Sequence, residues 1–147
     1  YLGQVTAFDQ EIEELALNSI KEYQENFKDL KVTEGIISAF KLISASNKYI
    51  DNTKPWELFS ASKTEELQAT MNHLANNLYI SAMLLKPVLL HASLELFHQL
   101  GINEELQKFE LLAKYGVIGG QTVNKGEPLF PRLKVNDEVE YIKSLMK

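Results

Sequence analysis

The chain contains no cysteine in its 147 residues, which excludes disulfides, a cysteine-ligated zinc and a thiol nucleophile. Arginine is nearly absent as well: Arg132 stands alone beside the lysines, and the balance of acids over bases leaves a net charge of −5. Nucleic-acid binders ordinarily present a basic face, so the charge argues against broad phosphate-backbone binding and allows only a local basic patch, with modest, salt-sensitive affinity. No apolar run approaches the roughly 18 residues of a membrane span. Three histidines are present, but His73 has no second histidine or carboxylate at ligand spacing, and His91 and His98 lie too far apart to pair on one turn. Gly119-Gly120 lacks the GxxxxGK[ST] pattern and the preceding strand of a phosphate loop. No Ser/His/Asp arrangement stands out, so no catalytic residue, no metal site and no cofactor of its own are expected here. There is no initiator methionine and no charged-then-apolar leader, so the chain reads as an excised piece of a cytosolic protein rather than a secreted product.

What is present is ordinary for a soluble domain: 45% hydrophobic and 24% charged residues, in a length sufficient for one core. Thr6 with Asp9 three residues on resembles a capping box. From there Phe8, Ile12, Leu15, Ala16, Ile20, Tyr23 and Phe27 fall at helical spacing to about Lys28. The opposite face carries Glu11, Glu13, Glu14, Glu22 and Glu25, as a solvated face would. A second helix is expected from Val32 to Ile50, with Ile36, Ile37, Phe40, Ile43, Asn47 and Ile50 inward. After a short turn at 56–59, Thr64 opens a third long helix to Leu85, with Leu67, Met71, Leu74, Leu78 and Met83 as core positions and His73, Asn76 and Asn77 interrupting them. Lys86-Pro87 breaks the pattern. A further helix runs from Pro87 to Leu100, with Leu90, Leu94 and Phe97 inward and Gly101 as its closing glycine. Asn103 caps a short helix to Lys114, with Leu106, Phe109 and Ala113 inward. The glycines and prolines between Tyr115 and Pro131 make an extended tail, and Asn136 caps a terminal helix with Val139, Ile142 and Leu145 inward. The expected fold is all-α: a helical bundle over 1–114, then an extended Gly/Pro-rich tail and terminal helix over 115–147 that pack back on it.

One stretch invites a functional reading. NKYIDNTKPW (47–56) closes a long periodic run, passes through the polar segment Asp51-Asn52-Thr53-Lys54, expected to be a surface turn, and ends on Pro55-Trp56. Trp56 is the sole tryptophan. A large ring on a turn pre-set by proline, with Lys48 and Lys54 nearby, is a platform on which an unstacked base can sit. The competing reading is a core tryptophan. Lys41 and Lys48, seven residues apart on one face, are candidate phosphate contacts. Asn47 is expected to be buried and to tie the helix end to the turn, since a buried Asn must find partners.

NKYIDNTKPW also resembles the tryptophan-bearing signature of the anticodon-binding domain of methionyl-tRNA synthetases. LLKPVLLHASLELFHQLG (84–101) resembles the proline-containing last helix of that bundle, and EPLFPRL (127–133) the segment after it. Three motifs in the family's order span most of the chain. The resemblance implies a helical bundle of the class I aminoacyl-tRNA synthetase anticodon-binding type. It implies that the domain reads the CAU anticodon of tRNA(Met), with Trp56 stacking on a base and Pro55 shaping the site; Lys54 and Asn52 are nominated as neighbours. A separate catalytic domain of the same polypeptide would charge the tRNA with methionine, using ATP and Mg. The family's HIGH-like and KMSKS-like motifs are absent from this stretch. So is the Asn-x-x-x-Arg segment of the first bundle helix, which would precede Tyr1 and whose absence would leave an apolar seam. The alternative from another class is a helical protein-interaction module without RNA binding. The two differ in whether Trp56 is exposed beside lysines or buried among leucines.

Overall fold

The structure, a computed structural model, describes residues 2–146. It is helical, with no strand among those residues: α1 (Asp9–Lys28), α2 (Val32–Thr53), α3 (Pro55–Ser60), α4 (Thr64–Leu85), α5 (Leu90–Gln99), two 3-10 turns (Glu104–Leu106 and Phe109–Ala113) and α6 (Val135–Leu145). Helix α4 is the central member and touches α1, α2, α3 and α5.

Helices α1 and α2 form an antiparallel hairpin. Its turn is a Schellman motif with Leu30 in the left-handed position (φ 61°): Leu30 donates to the Phe27 carbonyl and Lys31 to that of Asn26. The α1 spacing places Ile12, Ala16, Ile20 and Tyr23 inward. On α2 the buried face is rotated from the expected stripe. Ile37 and Phe40 are exposed, whereas Gly35, Ser38, Ala39, Leu42, Ser46, Tyr49 and Thr53 are buried. Small residues win these positions because they let two helix backbones approach closely. At Gly35 a Cβ would lie 2.4 Å from the Phe27 ring, so the glycine makes room for the aromatic that stacks on Tyr23.

Helix α4 ends at Leu85, before Lys86-Pro87, but Lys86 keeps a right-handed helical backbone (φ −50°, ψ −40°), so the expected displacement of the pre-proline residue does not occur. Val88 and Leu89 donate to the Leu85 carbonyl, and α5 begins at Leu90 rather than at Pro87. Its end is a second Schellman motif. Ile102 donates to the Phe97 carbonyl at 2.8 Å and Gly101 to that of His98 at 3.1 Å, with Gly101 at φ 67°. Phe97 and Ile102 share the core, whereas Leu90 and Leu94, expected inward, are exposed. The expected helix after Asn103 is two 3-10 turns. Asn103 does cap the first, accepting from the Leu106 amide at 3.2 Å, and Leu112 rather than Ala113 is the buried residue.

The polar residues of α4 are the largest departure from the apolar-stripe reading. His73, Asn76 and Asn77 are buried, while Met71 and Leu78 are exposed. Asn76 holds the tail: its Nδ2 donates to the Ile118 carbonyl at 3.0 Å and its Oδ1 accepts from the Ile118 amide at 3.2 Å. Tyr115 donates to Asn77 Oδ1 at 2.9 Å. His73 Nε2 lies 2.7 Å from Glu13 Oε1, so Glu13 belongs to the interior and not to the solvated face of α1. The tail then follows α5, where Asn124 donates to the Gln99 and His98 carbonyls at 2.7 and 2.8 Å. Helix α6 buries none of its residues, and Val139, Ile142 and Leu145 are exposed. The inward packing expected for the terminal helix is therefore corrected: none of its three-residue stripe is buried.

Candidate nucleic-acid interface

Helix α2 continues three residues past Ile50, so Asp51, Asn52 and Thr53 form its last turn rather than a surface turn. It stops at Lys54, which precedes a proline, and proline disfavours the right-handed helical region for the residue before it. Lys54 adopts φ 46°, ψ 65° instead. Pro55 occupies the first turn of α3, the place proline tolerates best. The chain thus bends at one residue and re-enters a six-residue helix that carries Trp56. Trp56 is 55% exposed and Phe59, one turn on, is 75% exposed. Residues three apart on a helix are surface neighbours, so α3 presents two aromatics on one side. Nothing in the sequence distinguished Phe59 from a packed residue.

The charged candidates divide. Lys54 pairs with Glu57 at 3.0 Å, an exposed pair that also spans the bend. Lys48 is exposed and makes no ion pair among the described residues. It shares a small groove of about 120 Å³ with Asn52 and Phe8, and one helical turn separates it from Asn52. Lys41 belongs elsewhere: it pairs with Glu22 of α1 at 3.0 Å, and its separation of thirteen positions from Lys54 corresponds to about 20 Å of helix rise. Asn47 is exposed, which corrects its expected role as a buried tie. The inward positions of this stretch are Ser46, Tyr49 and Thr53, and their spacing of three and four was legible in the sequence.

Tyr49 makes the tie that Asn47 does not. Its hydroxyl donates to Asp9 Oδ1 at 2.6 Å, across the hairpin. Asp9 is fully buried, and its other oxygen accepts from the Val5 and Thr6 amides at 2.8 and 2.7 Å, with the Thr6 hydroxyl on Oδ1. Burial acts to raise the Asp9 carboxyl, but the bonds from the Thr6 hydroxyl, Tyr49 and the two amides outweigh it and hold it below its ordinary 3.8. Burial first, then the bond to Asp9 and its charge, pushes the Tyr49 phenol up. The proton therefore stays on Tyr49 and the charge on Asp9. A carboxyl whose folded value lies below its unfolded one contributes stability that is present above pH 3.8 and lost as pH falls through the folded value. The melting temperature of the wild type is expected to fall below pH 3.8 more steeply than that of Asp9→Asn. Parallel melting curves from pH 6 to 2.5 would show that Asp9 carries no such linkage.

An apolar groove of about 560 Å³ runs along α4, flanked by Leu2, Met71, Leu74, Leu78 and Val123. No helix among the described residues is long and apolar enough to cross a membrane, and no group of three or more His, Asp and Glu side chains among them is placed to hold a metal ion.

The helical architecture matches a solved structure of Mycobacterium tuberculosis methionyl-tRNA synthetase in its free state, with a TM-score of 0.79 over 90% of this chain and 27% of that one, at 18% identity. That likeness defines the fold, an all-α domain of the kind found in that enzyme. The sequence profile described as "Anticodon binding domain of methionyl tRNA ligase" matches residues 2–145, and the chain belongs to that family. The methionine–tRNA ligase of Bacillus subtilis (strain 168) is 40% identical over 100% of this chain and 22% of its own length. That of Listeria monocytogenes serotype 4b (strain F2365) is 43% identical over 100% of this chain and 23% of its own. The chain thus spans less than a quarter of the curated relatives it matches.

Proposed function

We propose that this domain recognises the CAU anticodon of tRNA(Met), with an anticodon base stacked on Trp56, as part of a cytoplasmic methionine–tRNA ligase. The remainder of that polypeptide would bind ATP and Mg and charge the tRNA with methionine. The observation that carries the reading is the half-exposed Trp56 on a short helix set off from the bundle by a single left-handed residue. A core tryptophan would have been enclosed by leucines. Pro55 sets the helix direction, and Lys48 and Asn52 stand on the adjoining turn of α2 with their polar ends free to meet the loop. Stacking on an aromatic face is tolerant of base identity, so discrimination of CAU requires polar groups beyond Trp56. Lys41, engaged with Glu22, takes no part in this proposal.

Trp56 is the sole tryptophan, so its fluorescence reports this site alone. Titration of the chain with a CAU anticodon stem-loop at low salt is expected to quench Trp56 emission, and the quenching should weaken as salt is raised. A stem-loop with a scrambled anticodon serves as the control for readout. Absence of quenching by either loop would count against Trp56 as a stacking residue.

A further inference from the structure

Helix α3 rests on α4 along one side, with Pro55 and Leu58 half-buried, and its direction out of α2 is set by the bend before it. None of its six residues is buried, and it enters through Lys54, a left-handed residue that is not glycine. Such a bend is unfavourable by about 1–2 kcal/mol for an ordinary residue, so it persists only where its surroundings hold it. We infer that Tyr49, fixed by the buried Asp9, is a positioning residue for Trp56. This inference rests on the proposed stacking role of Trp56.

The path from Asp9 to α3 is continuous. Tyr49 donates to Asp9 at 2.6 Å across 40 residues of sequence. The Tyr49 carbonyl accepts the Thr53 hydroxyl at 2.7 Å, and that hydroxyl is buried. Thr53 adjoins Lys54, whose amide donates to the Ile50 carbonyl at 2.8 Å. The Lys54 carbonyl in turn accepts from the Glu57 and Leu58 amides at 2.8 and 3.2 Å, and these open α3. Apart from the peptide bond between Thr53 and Lys54 the links are hydrogen bonds, and the first is to a carboxylate that already holds three other donors.

Helix ends ordinarily fray. The last turn of α2 does not have that freedom, because Tyr49 and Thr53 both face inward and both are bonded. A fully satisfied buried polar network rigidifies and specifies one geometry, and a binding constellation needs its supporting groups held to within about half an ångström. An apolar pair at positions 9 and 49 would pack the hairpin equally well, but it would leave the azimuth of the final turn, and hence of the bend, without a directional constraint. The chemistry of the pair fits a role in orientation.

The test uses the full-length ligase and its aminoacylation kinetics. Tyr49→Phe keeps the ring and removes only the donor. Thr53→Val removes the next link at similar shape and keeps the experiment informative should Tyr49→Phe fold poorly. Each is expected to raise KM for tRNA about three- to tenfold, the effect of one lost hydrogen bond, with kcat changed less than twofold. In a Trp56→Ala background neither should raise KM further, since coupled residues are non-additive. A merely structural role would lower the melting temperature and would act equally with or without Trp56; that additive result overturns the inference. If Trp56→Ala raises KM while both other variants leave it unchanged, Trp56 stacks without this support and the inference alone fails. If Trp56→Ala has no effect on KM, both readings fail together.

Discussion

Trp56→Ala is expected to weaken binding of tRNA(Met) to the full-length ligase by about 1–3 kcal/mol, the range for loss of one base–aromatic stack. That corresponds to a rise in Kd of about five- to 150-fold. The fold should hardly register the change. Trp56 is 55% exposed and its helix buries no residue, so the stability cost falls within the roughly 0.5 kcal/mol typical of surface substitutions. The two quantities separate the competing accounts of this residue. A tryptophan that served packing would lose about 3–5 kcal/mol of stability on truncation, and its effect on tRNA binding would follow from unfolding. Equilibrium binding of tRNA(Met), measured beside thermal melting of the same preparations, decides between them. Unchanged Kd with a large fall in melting temperature would remove Trp56 from the interface.

The second large effect concerns stability. Asn76 is buried and joins α4 to the tail through both the amide and the carbonyl of Ile118. It also donates to the Asn72 carbonyl at 2.9 Å. Asn76→Ala leaves the Ile118 amide buried without its acceptor, and an orphaned buried donor costs about 1–3 kcal/mol in addition to the bond lost. A total of about 2–4 kcal/mol follows, which for a domain of this size lowers the melting temperature by about 5–15 °C. Asn72 still donates to the Ile118 carbonyl at 3.3 Å, so the tail is weakened at one atom more than at the other. Amide exchange at Ile118 should accelerate more than exchange in the middle of α1. Uniform acceleration across the chain would mean that Asn76 supports the whole bundle rather than the tail junction.

The positions of most helices were legible because their causes are local. The spacing of Ile12, Ala16, Ile20 and Tyr23 defines α1, and its end at Lys28 agrees with the pattern. Helix α4 runs from Thr64 to Leu85 as read from its periodicity. Gly101 closes α5 because a left-handed residue is needed there. Helix α2 ends at Thr53, three residues beyond the expected Ile50, because the polar run Asp51-Asn52-Thr53 carries no apolar periodicity. A polar final helical turn looks the same in sequence, whether its residues face outward as Asp51 and Asn52 do or inward as Thr53 does, and the decisive signal is Pro55.

Burial was read less well, and for one physical reason. An apolar stripe marks the buried face only where apolar side chains make the contact. Between α1 and α2 the contact is made by Gly35, Ser38, Ala39 and Ser46, so the larger Ile37 and Phe40 turn outward. Along α4 it is made by His73, Asn76 and Asn77, whose partners Glu13, Tyr115 and Ile118 lie 38 or more residues away. No local spacing could pair them. The same holds at the candidate site: Tyr49 lies within the recognised stretch, but its partner Asp9 lies in a different helix.

By itself the sequence determined the all-α class, the family signature around NKYIDNTKPW and the place of Trp56 after a proline, because each rests on local conformational preference or on contiguous residues. Only the tertiary structure decided that Trp56 stands exposed, that Lys41 is drawn away by Glu22, that Asn47 faces solvent and that Tyr49 bonds a buried carboxylate. Those outcomes depend on which helix faces meet, and that choice is made by close packing and by polar groups finding partners across the fold.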